Sequence, residues 1–306
     1  MSEPVDGSLS NGPTPSSGPV ESPRYTSRVT PRTIVITGAS DGIGAAAACR
    51  LSQQGEDVVV VGRSESKTAA VAAELRADYF VADFADLSQV RALAEKIRSE
   101  HPRVDVLLNN AGGMGTKIHL TPDGYEHTYQ VNYLAPFLLT TQLLDVLLNS
   151  RATIVNTTSS SHRLVFRATV DDLENTARRR PSTAYALSKL AIVLFTRELH
   201  RRHHAGGLSV ATVHPGYVSS NFGQASGSRF LAFMQRYTPT ERFTATSDEG
   251  ADQLVWLASS TPGADWTPGE YYSRRKIAKT SRLAYDPRLA SELWDRTLAK
   301  IARNSC

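Results

Sequence analysis

The sequence is poor in cysteine, in lysine and in long apolar runs. Its 306 residues include two cysteines, Cys49 and Cys306, and 7 lysines among 34 basic residues. Two cysteines so far apart exclude a disulfide framework and a cysteine-based metal site. No stretch is apolar over the roughly 18 residues at which a membrane-spanning helix becomes a candidate. A formal net charge of +4 is too small to predict nucleic-acid binding. From these features together we expect a cytoplasmic protein with no membrane span and no nucleic-acid partner.

Residues 1–30 lack an apolar run and contain 15 proline, serine or glycine residues. A segment of this composition buries too little apolar surface to offset the entropy lost on ordering. It also lacks the apolar centre of a signal peptide. We therefore predict a disordered tail over residues 1–30 and a single domain over residues 31–306.

The rest of the chain alternates short apolar strands with helices. The segments "TIVIT", "DVVVVG", "YFVAD", "VDVLLNNAG", "ATIVNTTS", "LSVATVHPG" and "GEYYS" are typical of strands. Helices are indicated by "AAAACRLSQQG", by a stretch ending near Leu75, by "LSQVRALAEKIRSE" and by "AYALSKLAIVLFTRELHRR". In the last of these, an apolar stripe at helical spacing is predicted along one face: Leu187, Leu190, Ala191 and Leu194. Alternation of this kind predicts βαβ units around a parallel sheet. The expected fold class is α/β: a single doubly wound Rossmann-type domain, with a seven-stranded parallel sheet and helices on both faces.

The first strand turns into a helix through "TGASDGIG", which places Gly38, Gly42 and Gly44 in the turn. The absent side chains let backbone N–H groups and the helix N-terminus approach a pyrophosphate. The spacing GxxxGxG differs from the usual GxGxxG, and a purely structural turn could contain the same glycines. Its position between a first strand and a helix nevertheless favours a dinucleotide site.

The end of the second strand bears on the choice between NAD and NADP. NAD sites place an acidic residue there for the ribose 2′-hydroxyl, whereas NADP sites supply an arginine. Here the strand ends in "VVVVGRS", with Gly62 at the acidic position and Arg63 next. NADP is therefore predicted, while a solvated Arg63 and an NAD ribose bound by Glu65 stay open as alternatives.

The segment "YALSK" places Tyr185 and Lys189 four residues apart, on one face of a helix. A tyrosine with a pKa of about 10 is a poor acid at neutral pH, and a neighbouring ammonium lowers that pKa. The pair is thus suited to proton transfer, although this spacing also occurs by chance on helices. Upstream, "TSSSHRL" offers Ser159, Ser160 and Ser161, and the residues alone do not decide which of them faces the tyrosine.

Together, "TGASDGIG", "NNAG", "VNYLAP", "IVNTTSS", "YALSK" and "HPGYVSS" resemble the short-chain dehydrogenase/reductase family in order and spacing. The resemblance extends over about residues 32–300 and is strongest to its retinol dehydrogenase and WW-domain oxidoreductase branch. It implies a catalytic tetrad. Tyr185 would donate a proton to the substrate carbonyl oxygen, and Ser159 would hold that oxygen by a hydrogen bond. Lys189 would stabilise the phenolate and bind ribose, and Asn132 would hold a water in the proton relay.

The same resemblance implies the residues that bind the cofactor. Asp83 would contact the adenine, Asn110 would lie along the cofactor, and Ser220 would reach the carboxamide, where the family often has threonine. The implied set is Gly38, Ser40, Asp41, Gly42, Ile43, Gly44, Arg63, Asp83, Asn110, Tyr185, Lys189 and Ser220. No metal site is predicted, because "HRRHH" at residues 200–204 has no cysteine or carboxylate partner.

Aromatic residues after "HPGYVSS" predict the substrate class. A lid is expected at about residues 217–247, and its apolar side chains would suit a bulky apolar substrate. The same residues could instead be ordinary core residues. The set is Phe222, Phe230, Phe233, Met234, Tyr237 and Phe243. We predict an NADP-dependent oxidoreductase acting on the carbonyl of a bulky apolar or aromatic ketone or aldehyde, such as a ketoreductase of antibiotic biosynthesis. The alternatives are a retinol- or lipid-type alcohol dehydrogenase and a non-catalytic NADP-sensing protein. The apolar "LLTTQLLDVLL" face fits either a homo-oligomer or the core.

Overall fold

The computed structural model describes Met1 and residues 30–216 and 246–303. Within these residues the strands form one sheet in the order β3-β2-β1-β4-β5-β6-β7-β8. The first seven strands run parallel, and β8 pairs antiparallel to β7. The bounds are β1 Thr33–Thr37, β2 Asp57–Gly62, β3 Asp78–Val81, β4 Val106–Asn109, β5 Thr153–Thr157, β6 Ser209–His214, β7 Tyr271–Ser273 and β8 Lys276–Ile277.

All seven predicted parallel strands are present, and the structure adds an eighth that the sequence analysis missed. The added strand β8 follows a two-residue turn at Arg274 and Arg275, whose φ angles are +53° and +57°. Tight hairpin turns of this geometry usually carry asparagine or glycine. Two arginines therefore gave no recognisable turn signal.

Helices connect the strands and cover both faces of the sheet. The described helices are α1 Gly42–Gln53, α2 Glu65–Leu75, α3 Leu87–Glu100, α4 His127–Tyr129, α5 Ala135–Gln142, α6 Leu144–Asn149, α7 Val170–Glu174, α8 Pro181–His203, α9 Ser247–Ser259 and α10 Pro287–Arg303. A π-helical turn, Gln130–Leu134, joins α4 to α5, and a 3-10 helix, Ser160–Leu164, follows β5. Among the described helices, none has the length and apolarity to cross a membrane.

Alternating residues of each strand supply two separate apolar cores. On β1, Ile34 and Ile36 face α1 and α9, whereas Val35 faces the side covered by α3, α5 and α8. Burial on both faces of a parallel sheet explains the nearly continuous valine and isoleucine runs of these strands. The doubly wound α/β fold predicted from the sequence is thus confirmed.

The long helix α8 differs in two ways from its prediction. It begins at Pro181, three residues before the predicted Ala184, because proline suits the first turn of a helix. It is also buried around most of its circumference between Ala184 and Leu199, and not only along the predicted stripe. That stripe, Leu187, Leu190, Ala191 and Leu194, is fully or almost fully buried.

The segment predicted as a lid lies mostly outside the described residues. Residues 217–245, which include the five aromatic residues and Met234 of the predicted lid, are outside the described part of the chain. The last two predicted lid residues belong to α9. Thr246 caps it in a capping box with Glu249, and Ser247 is its first residue.

The apolar "LLTTQLLDVLL" segment lies in α5 and α6 and packs into the chain's own core. Leu138, Leu139, Leu143 and Leu147 are fully buried there. The sequence left open whether this face belongs to a homo-oligomer contact or to the core, and these four residues lie in the core.

Candidate active site

The C-terminal ends of β1 and β4 form the point where the connections of the sheet diverge. Strands β2 and β3 lie on one side of β1 and the later strands on the other, an arrangement that leaves a crevice for ligands. Gly38, with φ of +67°, packs so closely on the loop after β4 that a Cβ would lie 2.8 Å from the Ala111 Cα. A Cβ on Gly44 would lie 2.2 Å from the Gly38 carbonyl oxygen. Both glycines are therefore needed for the close approach of β1, α1 and the β4 loop.

The turn before α1 leaves its backbone N–H groups as the natural ligand donors. Gly42 has φ of +55°, and Asp41 accepts its N–H at 2.8 Å and pairs with Lys67. The Ile43 side chain packs against the core, while Ser40 is half-buried. Asp41 and Ile43 thus use their side chains within the protein. The N-terminal N–H groups of α1 fit a pyrophosphate.

The end of β2 has no room for an acidic residue at Gly62. A Cβ there would lie 2.3 Å from the Thr68 Oγ1 and 2.7 Å from the Ser40 Cβ. Arg63 is exposed, and its guanidinium makes no hydrogen bond or ion pair with any residue that the structure describes. Glu65 lies in the first turn of α2. Among the described residues, this corner therefore presents an unpaired cation where NAD sites have a carboxylate.

Asp83, a further predicted cofactor residue, lies along the same edge of the sheet. Asp83 follows β3, and its Oδ1 accepts the Ala85 N–H at 2.9 Å. Burial is the main cause that lowers the pKa of His127, on which Asp83 and Arg63 also act with opposite sign. The charges of Asp83 and Arg63 therefore act on the same histidine. Another predicted cofactor residue, Ser220, lies outside the described residues.

Asn110 occupies the centre of the crevice. Its Nδ2 donates to the Thr37 carbonyl at 3.1 Å, and its Oδ1 accepts from the Thr157 hydroxyl at 3.4 Å. The Thr37 Oγ1 in turn accepts the N–H groups of Asn110 and Ala111. These bonds tie the loop after β4 to the ends of β1 and β5 and fix the floor of the site.

Tyr185 and Lys189 lie together on the first turns of α8. The Lys189 Nζ is 5.7 Å from the centre of the Tyr185 ring and donates to the Thr157 carbonyl at 3.1 Å. Lys189 is 4% exposed, and this burial lowers its pKa to about 8. Tyr185 is half-buried. A cation thus lies within electrostatic reach of a partly accessible phenol.

Asn132 is joined to the same helix by a short hydrogen-bonded chain. Its Nδ2 donates to the Ser188 Oγ at 3.0 Å, and the Ser188 Oγ donates to the Tyr185 carbonyl at 2.8 Å. Its amide also exchanges two bonds with the Gly113 backbone, at 2.8 and 2.9 Å. Asn132 lies in the π-helical turn, a feature frequent at functional sites.

The three serines of "TSSSHRL" have different surroundings. Ser159 is half-buried and caps the 3-10 helix, and its Oγ accepts the Ser161 N–H at 3.3 Å. The Ser161 Oγ is buried without a hydrogen-bond partner among the described residues. Ser160 is the first residue of the 3-10 helix. The segment is fastened to α8 by the Thr158 Oγ1, which donates to the Lys189 carbonyl at 2.9 Å.

The structure brings together Tyr185, Lys189, Asn132, Ser159 and Asn110, and it adds residues that sequence reasoning missed. Thr157 receives the lysine, Ser188 links Asn132 to α8, and Gly112 fits between side chains of the site. A Cβ on Gly112 would lie 2.8 Å from the Asn132 Oδ1 and 3.3 Å from the Lys189 Nζ. All three lie inside segments that the sequence analysis quoted, but their contacts cross between elements and have no signature in the sequence.

Known proteins share this architecture and sequence. The short chain dehydrogenase family model matches residues 32–229. The chain is 39% identical over 279 residues to "Putative daunorubicin C-13 ketoreductase DnrU" of Streptomyces sp. (strain C5), which covers 88% of this chain and 92% of that protein. It is 35% identical over 274 residues to retinol dehydrogenase 13 of Homo sapiens, with 86% and 82% covered.

A solved structure also resembles this chain in fold. The crystal structure of a "putative NAD(P) dependent gluconate 5-dehydrogenase" from Beutenbergia cavernae, with NADP bound at low occupancy, superimposes with a TM-score of 0.63 at 28% identity, covering 78% of this chain and 93% of that one. The 35% identity to retinol dehydrogenase 13 confirms the resemblance to retinol dehydrogenases drawn from the motifs. Since the family model spans well over half of the chain, and both relatives exceed 30% identity over most of their length, the protein belongs to the short-chain dehydrogenase family of oxidoreductases.

Proposed function

We propose that the protein is an NADP-dependent reductase of a bulky apolar or aromatic ketone or aldehyde. The observation that carries this proposal is the Tyr185–Lys189 pair, with the buried lysine 5.7 Å from the ring centre. A proton donor beside a cation, at the crevice of a dinucleotide fold, suits reduction of a carbonyl group. Bound NADPH would supply the hydride.

The residues of this chain divide the remaining work. Tyr185 gives its proton to the carbonyl oxygen, and the Ser159 hydroxyl donates a hydrogen bond to the same oxygen. Lys189 keeps a positive charge near the phenol through a bond to the Thr157 carbonyl at 3.1 Å. Asn132, held by Gly113 and Ser188, orients the water that returns a proton to this region.

NADP is the proposed cofactor because of the β2 corner. Gly62 removes the carboxylate that would repel a 2′-phosphate, and Arg63 offers a guanidinium with no partner among the described residues. Arginine and phosphate form charge-assisted, often bidentate hydrogen bonds. The bound NADP of the Beutenbergia cavernae structure is compatible with this choice.

The substrate proposal relies on the 39% identical DnrU, which is named "Putative daunorubicin C-13 ketoreductase". We assign this chain by similarity to the reduction of an aromatic polyketide ketone in antibiotic biosynthesis, in the cytoplasm. A retinol- or lipid-type alcohol dehydrogenase is the second candidate, supported by the 35% identity to retinol dehydrogenase 13.

One assay separates these functions. The purified protein is incubated with NADPH and a panel of bulky aryl ketones, and separately with NADP and retinol. Loss of NADPH together with an equal amount of alcohol product supports the reductase, while faster turnover of retinol supports the second candidate. Tight NADPH binding with no turnover in either direction would instead show a non-catalytic NADP-binding protein and refute the proposal.

A further inference from the structure

His162 follows Ser159 by three residues, and it has no role in the mechanism proposed above. It belongs to the 3-10 helix that Ser159 caps, and its side chain is completely buried. Its ring packs edge-on against Tyr271, with the ring centres 4.9 Å apart. A buried imidazole needs a partner for its polar atoms, and that partner is Ser159.

The Ser159 carbonyl oxygen accepts two hydrogen bonds from this one residue. The His162 backbone N–H donates at 3.3 Å, and the ring Nδ1 lies at 2.6 Å. Because a carbonyl oxygen only accepts, Nδ1 must carry the proton, and the neutral ring then has its acceptor at Nε2. Burial, the main cause, lowers the pKa of His162 to about 4, so the ring is neutral at physiological pH.

The other ring nitrogen argues against a purely structural choice of histidine. The His162 Nε2 is buried without a hydrogen-bond partner among the described residues. An unpaired buried acceptor costs about 1–3 kcal/mol, a cost that an apolar side chain of similar size would avoid. The bond from the ring Nδ1 to the Ser159 carbonyl, the only one that the ring makes to a described residue, is therefore the property that favours histidine here.

We propose that His162 is a positioning residue that holds the Ser159 hydroxyl towards Tyr185 by fixing the Ser159 carbonyl. The carbonyl and the hydroxyl-bearing side chain branch from the same backbone, so fixing one restricts the direction of the other. Before Ser159, the chain is anchored by the Thr158 N–H, which donates to the Val213 carbonyl at 2.8 Å. His162 provides the matching anchor after it. This inference rests on the proposed function, since it takes Ser159 to bind the substrate oxygen.

A matched pair of variants tests the Nδ1 bond. In His162→Asn the side-chain amide nitrogen lies close to the position of Nδ1, whereas in His162→Gln it lies nearer the position of Nε2. We expect His162→Asn to keep kcat within about threefold of the parent protein. His162→Gln should lower kcat by about tenfold to a hundredfold, the scale of a displaced catalytic group, with the KM for NADPH unchanged. Equal kcat for the two variants, whether both high or both low, would overturn the inference.

A double-mutant cycle distinguishes positioning from a general effect on folding. If His162 acts through Ser159, His162→Gln should cause no further loss of kcat in a Ser159→Ala background. The same loss in both backgrounds would show that His162 supports only the fold. Full activity of Ser159→Ala alone would instead refute the proposed role of Ser159, so failure of the proposed function and failure of the inference give different results.

Discussion

At the scale of single residues, the candidate site depends on a lysine in an environment that disfavours its charge. Lys189 is 4% exposed, and burial lowers its pKa to about 8. At neutral pH most molecules still carry the ammonium, which donates to the Thr157 carbonyl. In such a weakly screened place a positive charge acts more strongly on a nearby phenolate than a solvated lysine would.

Arg63 provides the residue-scale test of the cofactor. Because the Arg63 guanidinium is unpaired among the described residues, its removal should weaken only the binding of a cofactor that carries a 2′-phosphate. Arg63→Ala should raise the KM for NADPH by about tenfold, equivalent to roughly 1.4 kcal/mol, within the range of a hydrogen bond to a charged group. The KM for NADH should change little.

Steady-state kinetics with both cofactors measures this effect, and Glu65→Ala is the control. Glu65→Ala should leave both constants unchanged if Glu65 binds no ribose. Equal use of NADH and NADPH by the parent protein would contradict the assignment of NADP.

Residue identities were the most predictable part of the site, and residue contacts the least. The family motifs in the sequence located Asn132, Ser159, Tyr185 and Lys189, although their catalytic roles stay predictions. The residues alone left Ser159, Ser160 and Ser161 open. The burial of the Ser161 Oγ argues against that residue as a substrate ligand, and such burial depends on packing that no local pattern encodes.

At the scale of elements, strands were predicted well because parallel strands are short, apolar and β-branched. Helices α4 to α7, α9 and α10 were not predicted as helices, and for α5 burial gives the reason. The segment around Tyr133, Leu134 and Phe137 is buried on all sides, so it lacks the one-sided apolar period that reveals a surface helix. The π-helical turn that carries Asn132 is equally invisible in sequence.

The β7–β8 hairpin was missed for a different reason. Left-handed backbone costs a non-glycine residue about 1–2 kcal/mol, and Arg274 and Arg275 both adopt it. The structure compensates through Arg275, which pairs with Asp252 and donates its N–H to Gln253 on α9. Such long-range partners have no counterpart in a local turn motif.

The loop after β4 supplies a prediction at the element scale. Gly112→Ala places its Cβ 2.8 Å from the Asn132 Oδ1, so Asn132 must move. We expect kcat to fall by about tenfold or more, because small displacements of positioned groups are costly, and the melting temperature to change little. Gly113→Ala is the matched control, since its Cβ would meet nothing within 4 Å. Equal kcat for the two alanine variants would show that Asn132 is not constrained by this loop.

At the scale of the whole molecule, the sheet separates two cores, and the site lies at the edge where both meet the loops. The alternation of Ile34, Val35 and Ile36 between the cores follows from the two-residue period of strands. This is why the fold could be predicted from pattern alone. The division into a tail of residues 1–30 and a domain of residues 31–306, like the oligomeric state, stays a prediction.

Buried histidines predict the pH dependence of folding. Burial is the main cause that lowers the pKa of both His162 and His214 from 6.5 to about 4. Above pH 6.5 neither residue binds a proton in the folded or unfolded chain. Between pH 6.5 and 4 the unfolded chain binds protons that the folded chain does not, so the free energy of unfolding falls by about 1.4 kcal/mol per pH unit for each histidine. Urea denaturation at a series of pH values measures this slope.

Two variants identify the source of that slope. His162→Asn should reduce this slope by about 1.4 kcal/mol per pH unit, because one of the buried groups no longer titrates. His214→Asn should reduce the slope by a similar amount, because burial also lowers the pKa of His214 to about 4. Unfolding free energies that do not vary between pH 7 and pH 5 would show that neither buried histidine remains neutral in the folded protein.

In the proposed mechanism, Tyr185 and Ser159 act on the same carbonyl oxygen of the substrate. The rate of a single turnover, in which NADPH reduces a bulky aryl ketone, measures the contribution of each residue. Tyr185→Phe and Ser159→Ala should each lower the rate by about a hundredfold to a thousandfold, the usual effect of losing one donor to a developing oxyanion. NADPH binding, followed by fluorescence titration, should stay intact, and Ser160→Ala should remain active. Full activity of Tyr185→Phe would refute the proton donation by Tyr185. Loss of activity in Ser160→Ala but not in Ser159→Ala would show that Ser160, and not Ser159, binds the carbonyl oxygen.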